Sequence, residues 1–401
     1  MIALSTKNTL QKKYDSATIF YPTQERFLIP CQYRCGKTDL AGADAPEAIL
    51  IFLRRVAMKN DEKSDTKRST GRQTLADVAK RAGVSPITAS RALAKPEMVS
   101  EKLRERIERA VKELGYIPNQ AARALASSKT RVISIIVPSL TNAVFGDVLN
   151  GIDHTLTLAG YRILLGNSHY STSAEDDLIA TMLQQNPDGM IITGIDQSAR
   201  ARELLTAARI PVVQLMELTD SPLDMIAGVS QFDAGYQMTG FLIEKGYKHI
   251  GFIGARMDKR SQRRMQGYQQ ALADANRQTY VMTNLAPTSF QLGGEMMADL
   301  ARQHPEIDAL FFSNDDLAAG AIFECQRLGI KVPEQLAIAG FNNLGFAGAM
   351  NPGLTTVSIP RYQMGIAGAQ LLLDRLNGES ETAPNIIDVG FEIVARGSTR
   401  G

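Results

Sequence analysis

The chain has 401 residues, of which 44% are hydrophobic and 21% are charged, and it contains no tryptophan. This length and composition exclude a disordered or fibrous protein and predict two or three folded domains. Residues 48–57 come closest to a membrane span or a secretory signal, but Arg54 and Arg55 interrupt them. Three cysteines cannot form a disulfide framework, so we expect a protein of the cytoplasm.

Charge is distributed unevenly along the chain. Residues 67–131 contain 15 Lys and Arg against 6 Asp and Glu, whereas residues 132–401 contain 19 against 28. The net charge of +2 therefore hides a small basic segment joined to an acidic body. This pattern favours a nucleic-acid-binding head on a body with another role, although charge alone also allows an ordinary solvated basic face.

The basic segment has the pattern of three short helices. Thr74 can cap a first helix that ends at Gly83, and Ser85 can cap a second helix with Pro86 at its first position. A third helix is predicted over residues 101–114, ending at Gly115. The apolar face of the first helix consists of Leu75, Val78, Ala79 and Ala82. The apolar face of the third helix consists of Leu103, Ile107, Ala110, Val111 and Leu114. Two short helices across a glycine turn predict a helix-turn-helix.

The second helix of such a motif enters the major groove of DNA. We expect Pro86 and Ile87 to meet thymine methyl groups, and Thr88 and Ser90 to reach phosphates or bases. Arg91 is the candidate for a guanine contact, because a guanidinium can donate two hydrogen bonds to the guanine edge. The residue types alone also allow Ile87 to lie in the core and Arg91 to be a solvated charge.

This part of the chain resembles the lactose-repressor type of transcription factor. The matching residues are Asp77-Val78-Ala79, Ala82-Gly83-Val84-Ser85, Ser90-Arg91, Val99-Ser100, Gly115-Tyr116-Ile117-Pro118-Asn119 and Ala124-Leu125-Ala126. The resemblance implies a hinge helix at residues 120–126 that pairs with its dimer mate in the minor groove, with Leu125 as the wedge between base pairs. It also implies a homodimer or tetramer on a palindromic operator. The expected DNA-binding residues are Thr74, Ser85, Pro86, Ile87, Thr88, Ser90, Arg91, Ser100, Lys102, Asn119 and Leu125.

After Arg131, short apolar runs alternate with helical stretches. The predicted strands are residues 132–137, 163–165, 190–193, 212–216, 250–254, 310–313, 337–341 and 356–359. Alternating strands and helices predict parallel sheets covered on both faces, and this number of strands predicts two doubly wound lobes. A ligand is expected between the lobes, near the carboxyl ends of the strands. This body resembles the periplasmic sugar-binding fold.

The sequence thus predicts an α/β protein with a helix-turn-helix head and a two-lobed body. The expected segments are residues 72–117 for the head, 118–130 for the hinge helix and linker, and 131–401 for the effector-binding and dimerisation domain. Within that domain, we expect the first lobe to consist of residues 131–228 and 358–384, and the second lobe of residues 229–357 and 385–401. Residues 1–70 lie outside the resemblance. Because Met58 is followed by a hydrophilic segment, we expect it to be the true start, with residues 1–57 untranslated or poorly ordered.

The same resemblance places an effector site in the body. The expected contacts are Ser139, Phe145, Arg264, Asn314, Asp315 and Asn342. Ser139 and Phe145 match a wall over the effector, and Arg264 matches an effector-binding arginine. At the position of Asn342, the family typically carries an aspartate that holds sugar hydroxyls. This departure argues against a neutral sugar.

The charges near one strand point to an anionic effector. A basic cluster follows that strand and consists of Arg256, Lys259, Arg260, Arg263 and Arg264. Asn342 removes a repulsive charge, and an arginine can hold a carboxylate through two hydrogen bonds. The alternative is a solvated loop from which only Arg264 faces inward. The runs at 212–217, 314–318, 323–329 and 338–341 resemble the gluconate-operon repressor branch, which makes gluconate or a related keto or idonate-type acid the leading effector.

No enzyme motif is present: the sequence contains no dinucleotide-binding or phosphate-binding glycine loop, no HExxH and no GxSxG. The four histidines are scattered, and Cys31 and Cys35 have no second ligand pair, so neither a metal nor a cofactor is expected.

The alternative function is a sugar-binding module for transport or chemoreception, for which export signals are missing and the basic head has no role. Induction and corepression would use the same pocket and hinge, and both remain open.

Overall fold

The computed structural model describes residues 73–117, 129–378 and 385–400, together with a backbone pairing of β1 (Ser16–Ala17) with β2 (Ile29–Pro30). The chain divides after Ile117 into two units, a helical head and a larger α/β body. The expected hinge helix at 120–126 lies outside the described residues, as do Asn119, Leu125 and the Met58 start. Within the described residues, no helix is both long enough and apolar enough to cross a bilayer.

The head contains the three helices that the sequence predicts. They are α1 (Leu75–Ala82), α2 (Pro86–Ala94) and α3 (Glu101–Leu114), with a 3₁₀ turn at Pro96–Met98. Thr74 and Asp77 cap α1 reciprocally: the Asp77 N–H donates to Thr74 Oγ1 at 3.3 Å, and the Thr74 N–H donates to Asp77 Oδ2 at 2.8 Å. Gly83 ends α1 with φ +64°, a conformation that favours glycine.

One small core holds the head together. Its buried members are Val78, Ala82, Ala92, Ile107, Ala110 and Tyr116, surrounded by partly buried leucines and valines. These residues come from all three helices, so the amphipathic faces predicted for α1 and α3 are confirmed. Ile87 is 72% exposed and lies outside this core, which excludes its interpretation as a core residue.

Replacing Thr74 with alanine is expected to destabilise the head by about 1 kcal/mol, because the Asp77 N–H loses its capping acceptor. Ser100 supplies a matched control, since it caps α3 without a side-chain hydrogen bond. Hydrogen exchange of the head amides in the full chain measures both variants. A cost for Ser100→Ala equal to that for Thr74→Ala would show that the capping bond contributes nothing.

The body alternates strands and helices. Its strands are β3 (Val132–Val137), β4 (Arg162–Asn167), β5 (Gly189–Thr193), β6 (Val212–Leu215), β7 (Met225–Gly228), β8 (Ile250–Ala255), β9 (Tyr280–Asn284), β10 (Ala309–Phe312), β11 (Ala337–Asn342), β12 (Thr355–Ser358), β13 (Ile386–Asp388) and β14 (Glu392–Val394). Its helices are α4 (Ala143–Leu158), α5 (Thr172–Leu183), α6 (Ala199–Ala208), α7 (Gln231–Glu244), α8 (Lys259–Asp274), α9 (Phe290–Gln303), α10 (Asp315–Leu328) and α11 (Arg361–Leu376).

The strands form two sheets, one in each lobe. The first lobe has the order β13-β7-β6-β5-β3-β4 and is parallel throughout, and the second has the order β14-β12-β11-β10-β8-β9 with only β14 antiparallel. All six residues of β8 and of β11 are buried, as expected for parallel strands covered by helices on both faces. The two-lobed doubly wound architecture is therefore confirmed, and the apolar runs locate eight of the described strands to within two residues at each end.

One predicted boundary is wrong. We expect residues 385–401 in the second lobe, yet β13 pairs in parallel with β7, with Ile386 opposite Ile226. The chain returns to the second lobe only at β14, which runs antiparallel to β12. The cause is that β13 is a three-residue edge strand whose two isoleucines are too few to show a strand pattern.

Candidate functional site

Helix α2 presents the expected DNA contacts on its exposed surface. Ser85 caps the helix by accepting a hydrogen bond from the Thr88 N–H at 3.1 Å, and the two hydroxyl groups lie 2.8 Å apart. Pro86, Ser90 and Arg91 are exposed together with Ile87. An isoleucine so exposed on a short helix is available for an apolar contact such as a thymine methyl.

The arginines of the head differ in their pairing. Arg81 forms an ion pair with Glu113 at 2.5 Å, and Arg104 lies near Glu108 at 3.6 Å. Arg91 is exposed, and within the described part of the head no carboxylate pairs with it. At the start of α3, Ser100 and Lys102 are also exposed.

A cleft between the two lobes of the body forms the second candidate site. Residues directly after five strands line it, and they are Pro138, Ser168, Gly194, Met216 and Arg256. Its larger part encloses about 200 Å³ and its smaller part about 50 Å³. Both parts share Tyr170, Arg256, Asp258 and Arg260. The cleft thus lies at the carboxyl ends of the parallel strands, where the fold predicts a ligand.

The two walls of the larger part carry opposite charges. The first lobe contributes Glu175, Asp196 and Glu217, and the second lobe contributes Arg256, Lys259 and Arg260. Arg260 pairs with Asp258 at 2.7 Å. Burial alone would raise the pKa of Asp258, but the Arg260 guanidinium and the Ser261 N–H outweigh it and hold that pKa well below its ordinary value.

Arg264 lies at the base of the cleft and is only 6% exposed. Its Nε donates to Gln231 Oε1 at 2.7 Å, its Nη1 donates to the Ser313 carbonyl oxygen, and its guanidinium carbon lies 3.6 Å from the Phe341 ring centroid. Burial lowers the pKa of Arg264 to about 10, so the side chain remains a cation at neutral pH. These contacts fix a cationic guanidinium in a buried position, where a charge interacts more strongly with its surroundings than it does in water.

Close packing of α7 against α8 brings Arg264 to Gln231. A Cβ on Gly235 would lie 2.3 Å from the Arg264 carbonyl oxygen, and one on Gly267 would lie 2.0 Å from the Phe232 carbonyl oxygen. Only glycine permits this approach of the two backbones. The two glycines therefore position the arginine by allowing its helix to approach.

Asn342 is the last residue of β11, a central strand of the second lobe. It is 4% exposed, has φ +111°, and its Oδ1 has no hydrogen-bond partner among the described residues. Arg361, the first residue of α11 in the first lobe, donates to the Asn342 carbonyl oxygen and also to Asp147 Oδ2 at 2.8 Å. Arg361 thus holds this strained corner of the second lobe against the first lobe.

The structure brings four of the six expected effector contacts together. They are Phe145, Arg264, Asn314 and Asn342, and all line the smaller part of the cleft. The alternative of a solvated loop, from which only Arg264 faces inward, does not match the structure, because Arg256 and Arg260 line the cleft as well, whereas Arg263 is exposed on α8.

Ser139 and Asp315 do not line either part of the cleft. Ser139 Oγ accepts hydrogen bonds from the Thr141 and Asn142 N–H groups, both at 3.2 Å. Asp315 is fully buried and accepts from the Leu344 N–H at 2.7 Å and from Thr356 Oγ1 at 2.6 Å. Burial raises the pKa of Asp315 to about 6.

These contacts correct the prediction for Asp315. Its carboxyl group stabilises the corner after β11, and its neighbour Asp316 lines the cleft instead. Sequence reasoning missed Asp196 and Glu217, although each follows β5 or β6 by two or three residues. The expectation that a ligand lies near the carboxyl ends of parallel strands, applied to each strand in turn, would have identified both.

Replacing Glu175 with glutamine is expected to raise the melting temperature more at pH 8 than at pH 5. Burial raises the pKa of Glu175 to about 7, and the carboxylates of Asp196 and Asp176 add to this. A raised carboxyl pKa stabilises the native state most below the ordinary pKa, and that stabilisation is lost as pH rises through 7. The gain at pH 8 should be on the order of 2–4 °C.

Differential scanning calorimetry at the two pH values tests this expectation. Glu203→Gln is the control, because Glu203 is exposed on α6 of the same lobe. Equal effects of Glu175→Gln at both pH values would contradict it.

Comparison with known proteins identifies the family. Residues 74–119 match the model of bacterial regulatory proteins of the lacI family, and residues 239–399 match a periplasmic binding protein-like domain. The HTH-type transcriptional regulator GntR of Escherichia coli K12 is 42% identical over 327 residues, which is 82% of this chain and 98% of that protein. The chain belongs to the LacI family. It is a DNA-binding transcriptional repressor of that family.

Other similar proteins agree with this assignment. GntR of Pseudomonas aeruginosa is 41% identical over 343 residues, covering 85% of this chain and 99% of its own. A crystal structure of a LacI-family transcriptional regulator from Silicibacter pomeroyi superposes with a TM-score of 0.77 at 33% identity, covering 81% of this chain and 99% of that one. These relatives of the LacI-family chain are transcriptional regulators and not enzymes. Among its described residues, no group of three or more His, Cys, Asp and Glu is placed to hold a metal.

Proposed function

We propose that this repressor acts in the cytoplasm as a dimer on a palindromic operator, and that a sugar acid in the cleft controls its affinity for DNA. The observation that carries the proposal is the buried Arg264 at the base of a cleft that also holds Arg256 and Arg260. A carboxylate is the ligand group that a buried guanidinium binds best. The carboxyl side chains of the opposite wall can accept hydrogen bonds from sugar hydroxyl groups.

Gluconate is the leading effector, with idonate-type and keto acids as its relatives. It combines one carboxylate with a chain of hydroxyl groups, which matches a basic wall facing an acidic one. The absence of a carboxylate at Asn342 fits an anion, because that side chain lines the same part of the cleft as Arg264.

Control requires that the effector favour one arrangement of the lobes over another. Arg361 spans the two lobes at a crossover, so a change in the cleft near Asn342 can reach Asp147 on α4. In the head, α2 would read the major groove through Pro86, Ile87 and Arg91. Phosphate contacts are assigned to exposed residues such as Lys102.

Fluorescence anisotropy tests the proposal with the full chain and a labelled palindrome from its own upstream region, with and without gluconate. Salt must be held constant, because phosphate contacts make DNA affinity depend steeply on it. We expect a specific complex whose affinity changes when gluconate is added. A fall in affinity identifies induction, and a rise identifies corepression. A complex that ignores gluconate would remove the effector assignment and leave the DNA function.

A further inference from the structure

One oxygen of Glu217 has no partner in the body. Glu217 follows β6 and is 4% exposed. Its Oε1 accepts from the Leu218 N–H at 3.2 Å and from the Gln231 N–H at 3.4 Å, whereas Oε2 bonds to nothing among the described residues. A buried acceptor without a donor is costly. Since Glu217 lines the larger part of the cleft, a ligand can supply the missing donor.

Glu217 and Arg264 are connected without forming an ion pair within the described part of the cleft. Gln231, the first residue of α7, donates through its backbone N–H to Glu217 and accepts from Arg264 Nε through its side chain. Burial raises the pKa of Glu217, while Arg264 and Arg260 oppose that rise through their charges. Gln231 therefore lies between Glu217, which lines the larger part of the cleft, and Arg264, which lines the smaller part.

A small ligand that satisfies both must offer a carboxylate and, close to it, a hydroxyl donor. We propose that Glu217 reads the hydroxyl group on the carbon next to the effector's carboxylate, so that the site selects 2-hydroxy acids over 2-keto acids. A keto oxygen is only an acceptor and would face the carboxylate oxygen of Glu217 without a proton between them. This inference rests on the proposed function, because it names the class of sugar acid that the same cleft accepts.

Isothermal titration of the full-length protein with gluconate, 2-deoxygluconate and 2-ketogluconate tests the inference. For the wild-type protein, we expect gluconate to bind roughly tenfold or more tightly than either analogue. Glu217→Gln should bring the ratio for gluconate over 2-ketogluconate close to one, because the amide can donate to the keto oxygen. Glu203→Gln, an exposed glutamate of the same lobe, should keep the wild-type ratio.

The outcomes separate this inference from the proposed function. Equal affinities of the wild-type protein for gluconate and its two analogues, or an unchanged ratio in a folded Glu217→Gln variant, would overturn the inference and leave the sugar-acid effector standing. No binding of any sugar acid to the wild-type protein would overturn both. The melting temperature and operator affinity of Glu217→Gln show whether it is folded, and if it is not, the wild-type series alone decides.

Discussion

Replacing Arg264 with alanine is expected to abolish the effector response while operator affinity without effector stays within about twofold. The guanidinium is the buried cation at the base of the cleft, and its loss removes the main partner for a carboxylate. Arg264 belongs to the body, whereas the expected DNA contacts of α2 belong to the other structural unit. Anisotropy with and without gluconate measures both quantities in one experiment.

Arg263→Ala is the matched control for this prediction. Arg263 precedes Arg264 on α8 but is exposed, so its removal lowers the positive charge of the helix without touching the base of the cleft. A full response in Arg264→Ala would exclude this arginine as the carboxylate partner, and a lost response in Arg263→Ala would show that overall charge matters more than the buried fork.

Arg264→Ala also has a structural cost that must be measured. It leaves Gln231 Oε1 and the Ser313 carbonyl oxygen without a donor and removes the contact with Phe341. Each unpaired buried group costs about 1–3 kcal/mol. Arg264→Lys keeps the charge and loses the two-pronged geometry, so a weakened response in that variant at a near-normal melting temperature would assign the effect to the fork itself.

The fold could be predicted well from sequence where strands are central and apolar. β8 and β11 are buried along their whole length, and their sequences are apolar except for Asn342 at the end of β11. The missed strands lie at or near sheet edges: β9 and β14 end the second sheet, β13 ends the first sheet, and β7 lies next to β13. Edge strands are half-solvated and short, so β9 carries polar residues and β13 has three residues, and neither has a recognisable period.

The effector site could be predicted in part. Family resemblance located Arg264 and Asn342, which line the cleft, but it chose Asp315 over Asp316. Two adjacent residues at the start of a helix point in different directions, and only the tertiary contact of Asp315 with Thr356 settles which one is buried.

Contacts between distant segments could not be predicted at all. Arg256 stacks on Tyr170 with its guanidinium carbon 3.9 Å from the ring centroid, although the two residues come from different lobes. Arg361 joins Asp147, which lies 214 residues away in the sequence, to the Asn342 carbonyl oxygen of the other lobe. No local pattern encodes such pairs, because they depend on how the segments that connect the two lobes place one lobe against the other.

Arg91→Ala is expected to weaken specific operator binding by about 1–3 kcal/mol. This loss should occur only on operators that carry the base pair that Arg91 contacts. The side chain is exposed on α2, and no carboxylate within the described residues of the head competes for it. A guanidinium donating to the O6 and N7 atoms of guanine discriminates against the other bases, whereas one on a phosphate does not.

A double-mutant cycle tests this role of Arg91. Wild-type and Arg91→Ala proteins are titrated against the operator and against variants with one base pair replaced in each half-site. For a base contact, the loss caused by Arg91→Ala should disappear on the operator that lacks the contacted guanine, and the salt dependence of binding should not change. An equal loss on every sequence, with a salt slope reduced by about one, would instead assign Arg91 to a phosphate.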